Sequence, residues 1–131
     1  MVKKVMIVDD NIDVIVSIKY GLEDQTKEYQ VIGAESGKQC LDLLQNNPIP
    51  DLIFLDIMMP DMSGWETYEK IKEHDEWRKI PVVFLTARTD NIAKKAGKLL
   101  GDDFIEKPFV INDIKQRINR ILGNKNSTTQ R

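Results

Sequence analysis

Leu52-Ile53-Phe54-Leu55-Asp56-Ile57-Met58-Met59-Pro60 is the stretch on which the fold turns. Its first four residues are all apolar, too short a run for a buried helix and without a polar face, so they read as a strand covered on both sides. The run ends on an aspartate. Met59-Pro60-Asp61-Met62-Ser63-Gly64 then reads as a loop. A strand buried on both faces belongs to a parallel sheet, where ligands gather beyond the carboxyl ends of the strands.

Upstream and downstream the pattern repeats. Before Leu52, Cys40, Leu41 and Leu44 share a helix that Asn46-Asn47-Pro48 stops. Tyr29 to Ala34 reads as a strand. Val14, Ile15, Ile18 and Leu22 mark a helix behind a first strand, Val5 to Val8. After Gly64, Trp65, Tyr68 and Ile71 form one helix face, and Val82 to Leu85 is the fourth strand. A helix bearing Ile92, Ala93, Ala96, Leu99 and Leu100 leads to a fifth strand, Asp103 to Glu106. Ile111, Ile114, Ile118, Ile121 and Leu122 stripe a final helix ended by Gly123.

Five βα units in succession call for an α/β fold, a doubly wound parallel sheet with helices on both faces. The runs at Val5, Leu52 and Val82 are apolar throughout and belong at the centre. Gln30, Asp103 and Glu106 dilute the second and fifth strands, which places those at the edges. The order 2-1-3-4-5 satisfies both demands.

Composition bounds the function. The chain has 131 residues, 41% hydrophobic and 31% charged, enough for one domain. With 21 acidic and 19 basic residues the net charge is −2, so no broad basic field for nucleic acid exists. Cys40 and His74 are each alone of their kind, which argues against disulfides, a Cys-rich zinc site and His-based metal centres. Val5-Met6-Ile7-Val8 after Lys3-Lys4 is too short for a signal-peptide core, and no apolar run approaches a membrane span. A cytoplasmic domain is expected, over residues 1–123, with 124–131 a polar, disordered tail that has nothing to bury.

Chemistry collects at the strand ends. The first strand ends in Asp9-Asp10, the third in Asp56, the fourth in Thr86, and the fifth runs into Lys107. Three carboxylates packed together oppose one another's ionisation. A hard divalent cation resolves this, and Mg²⁺ suits a site with few carboxylates and several retained waters. Cation, three carboxylates and Lys107 sum to zero charge, so a phosphoryl group can enter. Asp56 is then the natural nucleophile, since carboxylates form aspartyl phosphates. Against this stand blander roles: Asp9 and Asp10 as caps of the first helix, Thr86 as a cap, and Lys107 as a surface lysine. Cys40 reads as a core thiol, Trp65 and Tyr68 as helix packing, His74 as a solvated helix-end residue, and Lys94, Lys95 and Lys98 as a solvated face.

The residues Val8-Asp9-Asp10, Asp56-Ile57-Met58-Met59-Pro60 with Gly64, Leu85-Thr86-Ala87 and Phe104-Ile105-Glu106-Lys107-Pro108-Phe109 come in an order and spacing that resembles the receiver domains of two-component response regulators. The similarity to this CheY-like family covers roughly residues 3 to 122. It implies a flavodoxin-like three-layer sandwich and a phosphorylation-controlled switch. By resemblance, Asp56 is the phosphorylated residue. Asp10 and Asp56 bind Mg²⁺ directly, Asp9 acts mainly through a metal-bound water, and Met58 contributes its backbone carbonyl. Thr86 and Phe104 are the switch pair. Lys107 pairs with phosphate and precedes a cis peptide to Pro108. Met58 and Arg88 occupy positions that tune phosphoryl lifetime, and an apolar Met58 implies slow autodephosphorylation.

The resemblance further implies a donor histidine kinase or phosphotransfer protein. A downstream target would dock on the surface of the fourth helix, fifth strand and fifth helix (the family's α4-β5-α5 face), with the chain a monomer or a phosphorylation-dependent dimer. The chemistry would be self-modification, so the chain is not expected to be an ordinary enzyme. Leu100-Gly101 before Asp102-Asp103 departs from the family's usual Gly-Ala. A competing reading is a Mg²⁺-dependent phosphatase or phosphotransferase with an aspartate nucleophile. Such enzymes want Asp-x-Asp after the first strand and a cap domain, and Asp9-Asp10-Asn11 does not fit. A flavodoxin-like FMN carrier is opposed by the acids where its phosphate would bind. A degenerate receiver that works without phosphorylation is opposed by the complete residue set.

Overall fold

A sheet whose strands alternate their side chains between two faces needs helices on both, and the computed structural model supplies them. It describes residues 2–24, 27–87 and 103–123. The strands are β1 (Lys3–Val8), β2 (Tyr29–Ala34), β3 (Leu52–Asp56), β4 (Val82–Ala87) and β5 (Asp103–Lys107). Between them run α1 (Ile12–Glu23), α2 (Gly37–Asn46) and α3 (Gly64–Glu73), and a C-terminal helix (Ile111–Ile118) follows β5. The helix expected over Ile92 to Leu100, the Lys94, Lys95 and Lys98 face, Arg88 and the 124–131 tail lie outside the described residues.

All pairings are parallel, in the order β2-β1-β3-β4-β5. The doubly wound order expected from dilution of the outer strands is therefore the observed one. Every residue of β3 is buried, whereas β5 keeps only Ile105 fully inside. One core joins Met6, Val8, Ile53, Leu55 and Phe84 to Cys40 and Leu44 of α2 and Tyr68 and Ile71 of α3. The opposite core joins Val5, Ile7, Phe54, Val83 and Leu85 to Ile15, Ile18 and Leu22 of α1 and to Ile114 and Ile118. This alternation between neighbouring residues explains the unbroken apolar runs: both sheet faces are dry.

Several element ends differ from the expectation: β3, β4 and β5 run on to Asp56, Ala87 and Lys107. β1 begins at Lys3 because Lys3 and Lys4 pair with Tyr29 and Gln30, which periodicity within one strand does not reveal. The last α-helix stops at Ile118 and continues as a π turn, Asn119–Gly123. There the Asn119 side-chain oxygen Oδ1 accepts from Lys3 Nζ (3.1 Å) and the Tyr29 hydroxyl (3.5 Å), fixing the turn to the edge of the sheet.

Candidate functional site

The ends of β1, β3 and β5 bring the expected acids and lysine together. Carboxylate oxygens of Asp9, Asp10 and Asp56 lie within 4.8 Å of one another, the only such group among the described residues. Asp9 and Asp56 are buried while Asp10 is exposed, so the cluster opens to solvent on one side. Lys107 Nζ lies 2.6 Å from Asp9 Oδ2 and 3.5 Å from Asp56 Oδ1. The Lys107-Pro108 peptide is cis.

Local structure sets each position. Asn11, not either aspartate, caps α1: its side-chain oxygen accepts from the Asp13 amide at 3.0 Å. The Asn11 amide in turn donates to Asp9 Oδ1 at 2.9 Å. Both Asp9 oxygens are thus engaged, one by Asn11 and one by Lys107. The capping role weighed for the two acids passes to their neighbour, and Asn at this position was the signal for it. Beyond Asp56, the loop turns through Asp61 at φ 67°, a left-handed conformation that aspartate tolerates. Ser63 and Glu66 close a reciprocal capping box at the start of α3.

Thr86 is buried near the end of β4, one residue beyond Leu85, the register partner of Asp56. Met58 projects outward with 72% of its surface exposed, two residues beyond Asp56. Phe104 pairs with Phe84 and packs against the core containing it. Trp65 and Tyr68 rest against Phe84 at 4.8 and 5.1 Å, the packing role expected of them. Cys40 is a core thiol that burial pushes up to about 12. His74 ends α3 as expected, but it is half-buried and stacked on Trp77 at 3.7 Å rather than simply solvated.

The electrostatics agree with the geometry. Burial drives the Asp56 carboxyl up to about 7; the charges of Asp9 and Asp10 and a hydrogen bond with Asp10 add to it, and Lys107 opposes it. For Lys107, burial alone would favour the neutral amine. The hydrogen bond to Asp9 and the charges of Asp56 and Asp9 outweigh that and hold its pKa above the ordinary value. One ammonium therefore leaves the acids under-compensated. A compact, all-oxygen, partly solvated donor set with excess negative charge fits a hard divalent cation such as Mg²⁺.

An open parallel sheet in the order β2-β1-β3-β4-β5, with side chains gathered beyond the β1 and β3 ends, defines the doubly wound α/β class. Within that class the chain belongs to the response regulator receiver domain family, whose model matches residues 5–119. It is 40% identical over 124 residues to a probable cyclic di-GMP phosphodiesterase of Vibrio cholerae, covering 94% of this chain and 27% of that protein. It is 41% identical over 122 residues to histidine kinase P4 of Formosa agariphila, covering 92% of this chain and 9% of that one. The chain thus spans about a quarter and a tenth of the length of these two relatives. The solved structure of the Vibrio cholerae chemotaxis protein CheY4 superposes with a TM-score of 0.83 at 28% identity, covering 93% of this chain and 100% of that one. Among the described residues no helix is long and apolar enough to cross a membrane.

Proposed function

We propose that this receiver domain accepts a phosphoryl group on Asp56. The observation that carries the reading is a buried carboxylate at a strand end, held 3.5 Å from an ammonium and beside two further acids. A carboxylate oxygen of Asp56 attacks phosphorus, and a new P–O bond forms as the bond to the donor breaks. The donor's histidine nitrogen or acyl oxygen keeps the electron pair. Asp9, Asp10, Asp56 and the Met58 carbonyl would hold Mg²⁺, which when bound supplies neutralisation of the phosphoryl charge. Lys107 pairs with a phosphoryl oxygen, and the Thr86 hydroxyl donates to another. Phosphorylation then shifts Thr86 and Phe104, and with them the surface made by the expected fourth helix, β5 and the C-terminal helix. A histidine kinase or phosphotransfer protein as donor is supported by the likeness to histidine kinase P4. The reaction modifies the chain itself, so we do not class it as an enzyme. A cytoplasmic location suits such a partner.

Incubation with Mg²⁺ and acetyl phosphate is expected to add the mass of one phosphoryl group, and chelation to prevent it. Asp10→Ala should raise the Mg²⁺ concentration required by roughly tenfold or more. No added mass with Mg²⁺, or equal labelling in chelator, would overturn the proposal. Steady hydrolysis of an external phosphate ester without a labelled chain would favour a phosphatase instead.

A further inference from the structure

An open sheet has two edges, and each exposes outward-facing backbone N–H and C=O groups that a second chain can pair with. In a parallel pair, alternate residues turn these groups toward the neighbour. Lys3 N donates to Glu28 O and Asp9 N to Ala34 O, so residues 28, 30, 32 and 34 face β1. Tyr29, Val31 and Gly33 therefore face outward from β2. The Val31 N–H donates to Glu23 Oε2 at 2.7 Å, and Lys19 Nζ donates to the Val31 carbonyl at 3.3 Å. Lys19 and Glu23 are themselves paired at 2.9 Å, one turn apart on α1.

The opposite edge repeats the arrangement with different residues. The Phe104 N–H donates to Asp103 Oδ1 at 2.8 Å, and Arg117 Nη1 donates to the Phe104 carbonyl at 3.0 Å. Arg117 and Asp103 are paired at 2.5 Å, and Arg120 also reaches Asp103. In both places one acid takes the N–H of an edge residue, one base takes its C=O, and acid and base hold each other. For both acids, burial would favour the neutral form. The bound amide and cation outweigh it and keep Glu23 and Asp103 below the ordinary carboxylate range.

We propose that these two ion pairs are edge guards: each occupies both outward backbone groups of one edge residue and so closes the sheet to strand addition by a second copy of this chain. The device uses none of the crevice side chains Asp9, Asp10, Asp56 and Lys107. A bare edge residue would be free to pair, whereas a gripped one must first break a charge-assisted hydrogen bond. The guards oppose strand pairing at the two edges, not contacts made through helix faces.

The test is run without phosphodonor or Mg²⁺, so that its failure is distinct from failure of the phosphorylation reading. Glu23→Ala should speed hydrogen exchange of the Val31 amide about tenfold or more while Ile32, paired to β1, is unchanged. Asp103→Ala should do the same at Phe104. The double variant should self-associate, with an intermolecular β-sheet band in the infrared, at concentrations where wild type shows none. Adding Gln30→Lys, a charge on the exposed edge of β2, should reduce that association. Should the alanine variants fail to fold, Glu23→Gln is read instead: it keeps an acceptor for Val31 but loses the ion pair, and should exchange faster than wild type. Unchanged exchange at Val31 and Phe104, or a folded double variant that associates no more than wild type, would overturn the proposal.

Discussion

With divalent cations chelated, Asp56→Asn is expected to be more stable than wild type at pH 8 by about 2–4 kcal/mol. The carboxyl has an ordinary pKa of 3.8 and is held at about 7 in the fold. It binds its proton more tightly folded than unfolded, so its contribution is least unfavourable below pH 4. Stability is lost as pH rises from about 4 to about 7 and levels off above. Asparagine is isosteric, carries no such charge, and can donate to the neighbouring carboxylates. Lys107 keeps its closer partner, Asp9, at 2.6 Å. The gap between variant and wild type should therefore be wide at pH 8 and narrow at pH 5 in urea unfolding. Mg²⁺ should close it, because a cation that binds only the folded wild type stabilises it by mass action. A variant less stable than wild type at pH 8, or a gap independent of pH, would contradict this account of the crevice.

Gly64→Ala should destabilise the protein by about 2–4 kcal/mol and slow phosphorylation. A Cβ at residue 64 would lie 2.2 Å from the Asp56 carbonyl oxygen and 2.7 Å from Ile57 Cα. Both are backbone atoms, so no side-chain rotation relieves the clash. The segment is also held from three sides: Gly64 N donates to Ile57 O at 2.9 Å, Ile57 N to Leu85 O at 3.1 Å, and the Ser63–Glu66 box fixes the start of α3. Any relief must move Asp56 or Ile57 itself. Urea unfolding and the initial rate of labelling check both halves. A loss below about 0.5 kcal/mol would show that the pinch is not structural.

These details show what was legible in the sequence. Leu52 to Leu55 and Val82 to Leu85 announced central strands because both sheet faces bury side chains, and Gln30 and Glu106 announced edges. The crevice followed, since topology places the ends of β1 and β3 side by side. What escaped depends on three-dimensional neighbours rather than periodicity. Asn11 took the cap assigned in the alternative reading to Asp9 and Asp10, and Gly64 proved to be a backbone contact with Asp56. The edge ion pairs were hidden because Lys19 and Glu23 look like an ordinary i,i+4 pair on a solvated helix face. Their grip on Val31 appears only once β2 lies beside α1.

The most direct test of the central claim is to locate the phosphoryl group. Chain labelled with acetyl phosphate and Mg²⁺ is reduced with borohydride, which converts an aspartyl phosphate to homoserine, and its peptides are mapped by mass. The account predicts homoserine at position 56 and nowhere else, with none in Asp56→Asn. Homoserine at position 9 or 10, phosphate on His74, or undiminished labelling of Asp56→Asn would contradict it.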